Sequence, residues 1–155
     1  MSAPIHEEIE ALATTPGPLI GLDLGTKTIG VAVSDGLRMT ATGLETIKRK
    51  KFTTDAARLG EIATARGVVG FVLGLPLNMD GTAGPRVQAT RAFARNLAGV
   101  LPLPIAFWDE RMSTQAVERT LIAADSSRKR RSEVIDKLAA AYILQGALDR
   151  LAMAR

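Results

Sequence analysis

The stretch Leu19-Ile20-Gly21-Leu22-Asp23-Leu24-Gly25 decides the fold, because it places one acid inside an apolar segment of strand length. In a β-strand successive side chains point to opposite faces. The large apolar residues at positions 20, 22 and 24 therefore share one face, and Asp23 lies on the other face between two glycines. The glycines leave room beside the carboxylate for a charged ligand. A buried carboxylate needs a cation or hydrogen bonds to compensate its charge, and a metal ion is one such partner.

The composition limits the classes of function. The chain has 155 residues, of which 46% are apolar, enough for one domain with a hydrophobic core. A net charge of +4 favours polyanionic partners. The absence of Cys excludes disulfides, thiolate zinc sites and cysteine nucleophiles, and His6 is the only histidine. We therefore expect any catalysis to depend on carboxylates, Lys, Arg or hydroxyl groups.

Targeting signals are not evident in this sequence. No apolar run approaches the roughly 20 residues that span a membrane, and the first residues lack the basic-then-apolar pattern of a signal peptide. We expect a cytoplasmic protein without membrane contact.

The hydrophobic pattern predicts one domain preceded by a tail. Residues 1–18 are polar and acidic and end in Pro16-Gly17-Pro18, so they are expected to form an N-terminal tail, and residues 19–155 a single domain. Apolar or β-branched runs predict five strands, at residues 19–25, 28–34, 39–47, 68–74 and 104–108. Apolar residues at helical spacing predict helices at residues 56–66, from Pro85 onward, at 113–125 with Ser113 as N-cap, and at 132–151 with Ser132 as N-cap. The expected architecture is an α/β fold in which helices cover both faces of a mixed five-stranded sheet.

Two further places in the sequence carry acids in unusual settings. Asp136 lies near the start of the last helix, and the residues that share its side of that helix are Ala139, Ala140 and Ile143. This acid therefore points toward an apolar neighbourhood. Asp109-Glu110 follows the strand at residues 104–108, and neighbouring residues of an extended chain point to opposite sides, so only one of the two can join a cluster. The alternation alone does not choose between them.

Four motifs occur in the order that is typical of a known family. They are Gly21-Leu22-Asp23-Leu24-Gly25-Thr26-Lys27 followed by Ile29-Gly30-Val31-Ala32-Val33-Ser34-Asp35, Gly74-Leu75-Pro76 with Asp80-Gly81-Thr82, Asp109-Glu110-Arg111, and Asp136-Lys137-Leu138-Ala139-Ala140 with Ile143-Leu144. In these motifs, which run from about residue 19 to 148, the chain resembles the YqgF family of Holliday-junction-resolvase-like nucleases with a ribonuclease H-like fold.

The resemblance implies a site and an activity. Asp23, Glu110 and Asp136 are the implied catalytic acids and metal ligands, with Glu110 preferred over Asp109 by the family pattern. The implied activity is metal-dependent hydrolysis of phosphodiester bonds in 5′-end processing of precursor 16S ribosomal RNA, a step of ribosome biogenesis. Resolution of Holliday junctions in branched DNA is the alternative, and the sequence does not separate the two.

Physical chemistry agrees with a metal-dependent nuclease. Three carboxylates that meet repel one another, and Mg²⁺ or Mn²⁺ turns this repulsion into coordination. Such ions can activate water and stabilise a leaving 3′ oxygen without a histidine or a covalent intermediate. This chemistry suits a chain with no Cys and one His.

Candidate contacts to a nucleic-acid substrate lie near these motifs. They are Thr26, Lys27, Asn78, Arg111, Arg128, Arg130 and Arg131. Asn78 and Asp80 lie in a loop that is expected to border the active site and to support it indirectly, and the same loop is consistent with a simple turn after a strand. The basic clusters at residues 48–51 and 128–131 are of a kind that is usually solvated, but in a nuclease we expect them to hold phosphates.

The three acids are also compatible with purely structural roles. Asp23 could be paired with Lys27, Asp136 could only stabilise a helix start, and Glu110 could pair with Arg111. At the level of function, Asp23-Leu24-Gly25-Thr26 also resembles the phosphate loop of actin-like and sugar-kinase ATPases, although those enzymes need two lobes and this chain has the length of one domain. A non-catalytic module that docks on nucleic acid or on a ribosomal partner is the third candidate.

Overall fold

The computed structural model describes residues 2–112 and 128–153, and the side chains of residue 112 and of residues 128–134 lie outside the described part. The strands in the described part are β1 (Ile5–His6), β2 (Leu19–Leu24), β3 (Thr28–Ser34), β4 (Ala41–Lys48), β5 (Gly70–Leu75) and β6 (Ile105–Asp109). The α-helices there are α1 (Phe52–Arg66), α2 (Pro85–Val100) and α3 (Arg128–Met153). Short 3₁₀ helices cover Ile9–Leu12 and Glu110–Met112.

The strands form one mixed sheet in the order β1-β6-β5-β2-β3-β4. The β2–β3 and β3–β4 pairs are antiparallel, and the β2–β5, β5–β6 and β1–β6 pairs are parallel. After β2 the chain adds β3 and β4 on one side of β2, and it then adds β5 and β6 on the opposite side of β2. The sheet therefore has a topological switch point between β2 and β5. β2 and β3 form a hairpin, and β5, the strand after α1, lies inside the sheet between β6 and β2.

Helices cover both faces of the sheet, as expected. Ile20 and Leu22 of β2 pack into the core formed with α1 and α2, which includes Leu59 and Leu97. Leu19 packs into a second core on the opposite face, formed with α3. The buried residues of α3 in that core are Ala140, Ile143, Leu144, Ala147, Leu148 and Leu151. No helix in the described part of the chain is long and apolar enough to cross a membrane.

Glycines set the distance between α3 and the sheet. A Cβ atom on Gly21 would lie 2.6 Å from Leu144 Cβ, and one on Gly43 would lie 3.1 Å from Lys137 Cβ. A Cβ atom on Gly30 would collide with the backbone carbonyl of Asp136. Because these strand positions carry no side chain, the part of α3 between Asp136 and Leu144 lies directly on β2, β3 and β4.

The N-terminal segment corrects the prediction of a tail and of five strands. Ile5 pairs with Ile105 and extends the sheet to six strands, and Ile9 and Leu12 are 3% and 1% exposed against α3. The buried guanidinium of Arg38 donates to the carbonyl oxygens of Leu12, Thr15 and Gly17. The prediction was wrong because the polar composition of this segment concealed a few apolar side chains that cover the β6 edge.

Some of the helix ends lie where the sequence predicted them, and others do not. Pro85 opens α2, and Gly67 ends α1 with φ of 63°, a left-handed conformation that suits glycine. The predicted Ser132 N-cap is wrong, since α3 begins at Arg128. The predicted helix at residues 113–125 lies outside the described residues.

Candidate active site

Asp23 lies near the end of β2, on the face that α3 covers, opposite Gly30 of β3. Its side chain is half-buried, and burial together with the charge of Asp136 raises its pKa above the ordinary value. A hydrogen bond with Glu110 and the positive charge of Arg86 act in the opposite direction on this pKa. The net upward direction shows that the ionised form of Asp23 is incompletely compensated.

Glu110 follows β6 directly and contacts Asp23. Burial, and then the charge of Asp23, raise the pKa of Glu110 to about 8, and the two carboxyl groups are hydrogen-bonded. Gly74 of β5 makes room for this contact, since a Cβ atom there would lie 2.9 Å from Glu110 Cγ. Because the two carboxyl groups titrate together, the pair retains a shared proton at neutral pH.

Asp136 reaches the same region from α3. Thr28 Oγ1 donates a hydrogen bond to Asp136 Oδ2 at 2.8 Å, and the charge of Asp136 acts on Asp23. The backbone of Asp136 lies over Gly30, the residue paired with Asp23. The structure thus brings the three predicted acids into one neighbourhood.

The carboxylate oxygens of these acids are ligands that suit a hard divalent cation, but the acids are not already arranged around one ion. Across the described residues, no group of three or more His, Cys, Asp or Glu side chains is arranged closely enough to hold a metal ion. The fit rests on Asp23 and Glu110, two carboxyl groups in contact whose pKa values are both raised. A hard cation with oxygen ligands would displace their shared proton and remove the repulsion between them.

Asp109 binds Arg111 instead of joining this pair. Arg111 Nη2 donates to Asp109 Oδ2 at 2.6 Å, and this hydrogen bond lowers the pKa of Asp109. Arg111 Nη1 also donates to the carbonyl oxygen of Met79 at 3.2 Å. The alternation that the sequence left open is decided here: Glu110 joins Asp23, and Asp109 binds Arg111.

The other predicted substrate contacts are distributed unevenly. Thr26 and Lys27 are exposed on the β2–β3 turn, just beyond Asp23. Asn78 Nδ2 donates to Thr82 Oγ1 at 3.0 Å, so this side chain stabilises its own loop. Asp80 accepts hydrogen bonds from the same threonine. The backbones of Arg128, Arg130 and Arg131 lie in the first turn of α3, and their side chains lie outside the described part.

Arg86, like Thr28, lies near the acids although the sequence pattern did not single it out. It is the second residue of α2, and its Nη2 donates to the carbonyl oxygen of Leu24 at 2.6 Å. Its positive charge lowers the pKa of both Asp23 and Glu110. The signal was present in the sequence: an arginine immediately after the helix-starting Pro85 lies at a helix N-terminus, which in this fold faces the ends of the strands.

Comparison with known proteins gives one consistent family. A family model described as "RuvX: Holliday junction resolvase" matches residues 17–150. A protein named "Putative pre-16S rRNA nuclease" from Cereibacter sphaeroides is 71% identical over 150 residues, which cover 95% of this chain and 94% of the relative. A protein of the same name from a Bradyrhizobium species is 67% identical over 157 residues, covering 100% of this chain and 98% of the relative.

A solved structure shares the fold. "T. thermophilus RuvC in complex with Holliday junction substrate" aligns with a TM-score of 0.56 and 16% sequence identity, over 88% of this chain and 96% of that one. At this identity the likeness concerns the fold alone, and it confirms the ribonuclease H-like architecture with six strands in place of the five predicted.

Proposed function

Because the chain belongs to the RuvX (YqgF) family of Holliday junction resolvases, we propose that it is a metal-dependent nuclease. The phosphodiester bonds that it hydrolyses are those of precursor 16S ribosomal RNA. This is the family that the four sequence motifs predicted. The contact between Asp23 and Glu110 carries this proposal. Two hydrogen-bonded acids with raised pKa values, at the ends of strands beside a topological switch point, form a site that is unfavourable until a cation enters it.

In this proposal Asp23, Glu110 and Asp136 hold Mg²⁺ or Mn²⁺. When bound, the ion supplies Lewis-acid activation of water and of the scissile phosphate. Asp23 and Glu110 would hold the ion after loss of their shared proton to solvent, and the Thr28 hydroxyl orients one oxygen of Asp136 by its 2.8 Å hydrogen bond. The exposed Thr26 and Lys27, beside Asp23 on the β2–β3 turn, would contact the substrate backbone.

The names of close relatives favour RNA as the substrate. Two relatives that are 71% and 67% identical over at least 94% of their own length are named for precursor 16S rRNA. A role in ribosome biogenesis would place the protein in the cytoplasm. Branched DNA is the second candidate, because the family description names Holliday junction resolution. Membership of a nuclease family over residues 17–150 speaks against the phosphotransferase alternative.

The test compares both substrates under the same conditions. The protein is incubated with Mg²⁺ or Mn²⁺ and either a 16S rRNA fragment that retains its 5′ leader or a four-way DNA junction. We expect cleavage of the RNA, with products that carry a 5′ phosphate and a 3′ hydroxyl, and none with Asp23→Asn. Cleavage of the junction but not of the RNA would show that the protein is a Holliday junction resolvase. Binding of either substrate without cleavage would show that it is a non-catalytic nucleic-acid-binding module.

A further inference from the structure

Arg86 lies at the carboxyl end of β2, beside the topological switch point of the sheet. The β2–β5 pairing ends at Leu22 and Leu73, so the carbonyl of Leu24 lies beyond the last pair, and Arg86 Nη2 donates to it at 2.6 Å. In open α/β sheets this crevice, at the carboxyl ends of the strands, is where ligands bind. The half-buried guanidinium of Arg86 is thus fixed to the strand that carries Asp23.

The hydrogen bonds of Arg86 differ from those of other arginines nearby. Arg111 and Arg91 each bind a carboxylate, of Asp109 and Glu7, through two nitrogens. Among the ion pairs within the described residues, none includes Arg86, although its charge acts on both Asp23 and Glu110. A guanidinium has five N–H donors, and the bond to Leu24 uses one nitrogen.

A substrate phosphate needs a cation at this place. Asp23, Glu110 and Asp136 lie together, and their negative charge repels the backbone of a nucleic acid. A guanidinium compensates this repulsion and matches the oxygens of a phosphate with a planar set of donors. Arg86 lies close enough to act on two of the acids, and within the described part of the chain its remaining donors face no carboxylate at ion-pair distance.

We propose that Arg86 is a substrate-binding residue of this nuclease, whose guanidinium binds a phosphate of the nucleic-acid backbone next to the bond that is cut. The inference rests on the proposed function. The hydrogen bond to Leu24 fixes the guanidinium relative to Asp23, so that the phosphate and the acids keep one geometry.

The experiment measures RNA binding separately from cleavage. The probe is a fluorescein-labelled 16S rRNA fragment with its 5′ leader, bound without divalent ions so that it stays intact, over a series of KCl concentrations. The variants are Arg86→Gln and Arg86→Lys, and the matched control is Arg95→Gln. Arg95 is exposed on the same helix, nine residues further on, so its substitution removes the same charge at another place.

We expect Arg86→Gln to bind the probe about 10- to 100-fold more weakly at low salt, because a charge-assisted hydrogen bond is lost. The slope of log K against log[KCl] should fall by about 0.7 to 0.9, the share of one phosphate contact. Arg86→Lys should keep the slope and recover part of the affinity, since it retains the charge but not the planar donors. Arg95→Gln should match the unmodified protein.

Three outcomes separate this inference from its alternatives. If Arg86→Gln only lowered the melting temperature and left the salt slope unchanged, Arg86 would be a structural residue and the inference would be overturned. If the unmodified protein bound the probe but cleaved no nucleic acid with Mg²⁺ or Mn²⁺, the proposed function would fail, while the slopes would still decide whether Arg86 binds phosphate. If the unmodified protein did not bind the probe, both the proposed function and the inference about Arg86 would be overturned.

Discussion

Gly30 lies directly beneath the backbone carbonyl of Asp136, so the strand that pairs with Asp23 and the helix that carries Asp136 meet with no side chain between them. This contact places the third acid near the other two. A glycine on a neighbouring strand, rather than an acid, thus determines how closely the site can assemble.

Gly30→Ala should therefore disrupt the site although it changes no acid. The new methyl group would overlap the Asp136 carbonyl and push this part of α3 away from the sheet. We expect this to cost about 1 to 3 kcal/mol of stability and most of the cleavage activity. Urea unfolding and cleavage assays measure the two effects. Gly36→Ala is the control, since a Cβ atom there meets nothing within 4 Å. Equal behaviour of the two variants would contradict the packing argument.

The two neighbouring acids Asp109 and Glu110 should differ in function. Glu110→Gln should lose cleavage because Glu110 contacts Asp23, whereas Asp109→Asn should retain most of it, because Asp109 binds Arg111. Initial rates on the 16S rRNA fragment with its 5′ leader measure the difference. The assignment of Glu110 would be wrong if Asp109→Asn proved the more damaging change.

Stability without divalent ions should fall as the pH rises. Glu110 ionises near its ordinary pKa of 4.5 in the unfolded chain but at about 8 in the folded protein, so the folded state holds the extra proton between these values. The free energy of unfolding should decrease between about pH 5 and pH 8, and Glu110→Gln should flatten this decrease. Urea titrations in EDTA at pH 5.5 and 7.5 provide the measurement. The carboxyl groups with lowered pKa values, such as Asp109 and Asp35, change the free energy of unfolding only at pH values below this range.

A divalent ion should reverse that loss. At 100 times its dissociation constant, Mn²⁺ or Mg²⁺ should stabilise the folded protein by about 2.7 kcal/mol, and binding should release a proton because Asp23 and Glu110 share one. Thermal melting gives the stabilisation, and calorimetry in two buffers of different ionisation enthalpy gives the proton count. Asp23→Asn should abolish both effects, and Asp80→Asn, in an exposed loop, should change neither. Equal stabilisation of Asp23→Asn and the parent would place the ion elsewhere.

Arg38 should matter for folding rather than for cleavage. It is 5% exposed and donates to three carbonyl oxygens of the N-terminal segment, so Arg38→Ala would leave these acceptors unpaired. We expect a loss of about 1 to 3 kcal/mol in the free energy of unfolding. The exposed Arg66, at the end of α1, provides the control Arg66→Ala. A melting temperature unaffected by Arg38→Ala would show that the segment is held by its apolar contacts alone.

The sequence by itself determined the strand with Asp23 on its glycine face and, through the order of its motifs, the family and the three candidate acids. These features are local, because the alternation of side chains along a strand depends only on neighbouring residues. Tertiary structure decided the rest. It showed that Glu110 rather than Asp109 contacts Asp23, that residues 5–6 add a strand, and that Arg86 lies at the strand ends. Each of these depends on contacts between residues far apart in the chain, and the local pattern carries no information on which distant partner a side chain meets.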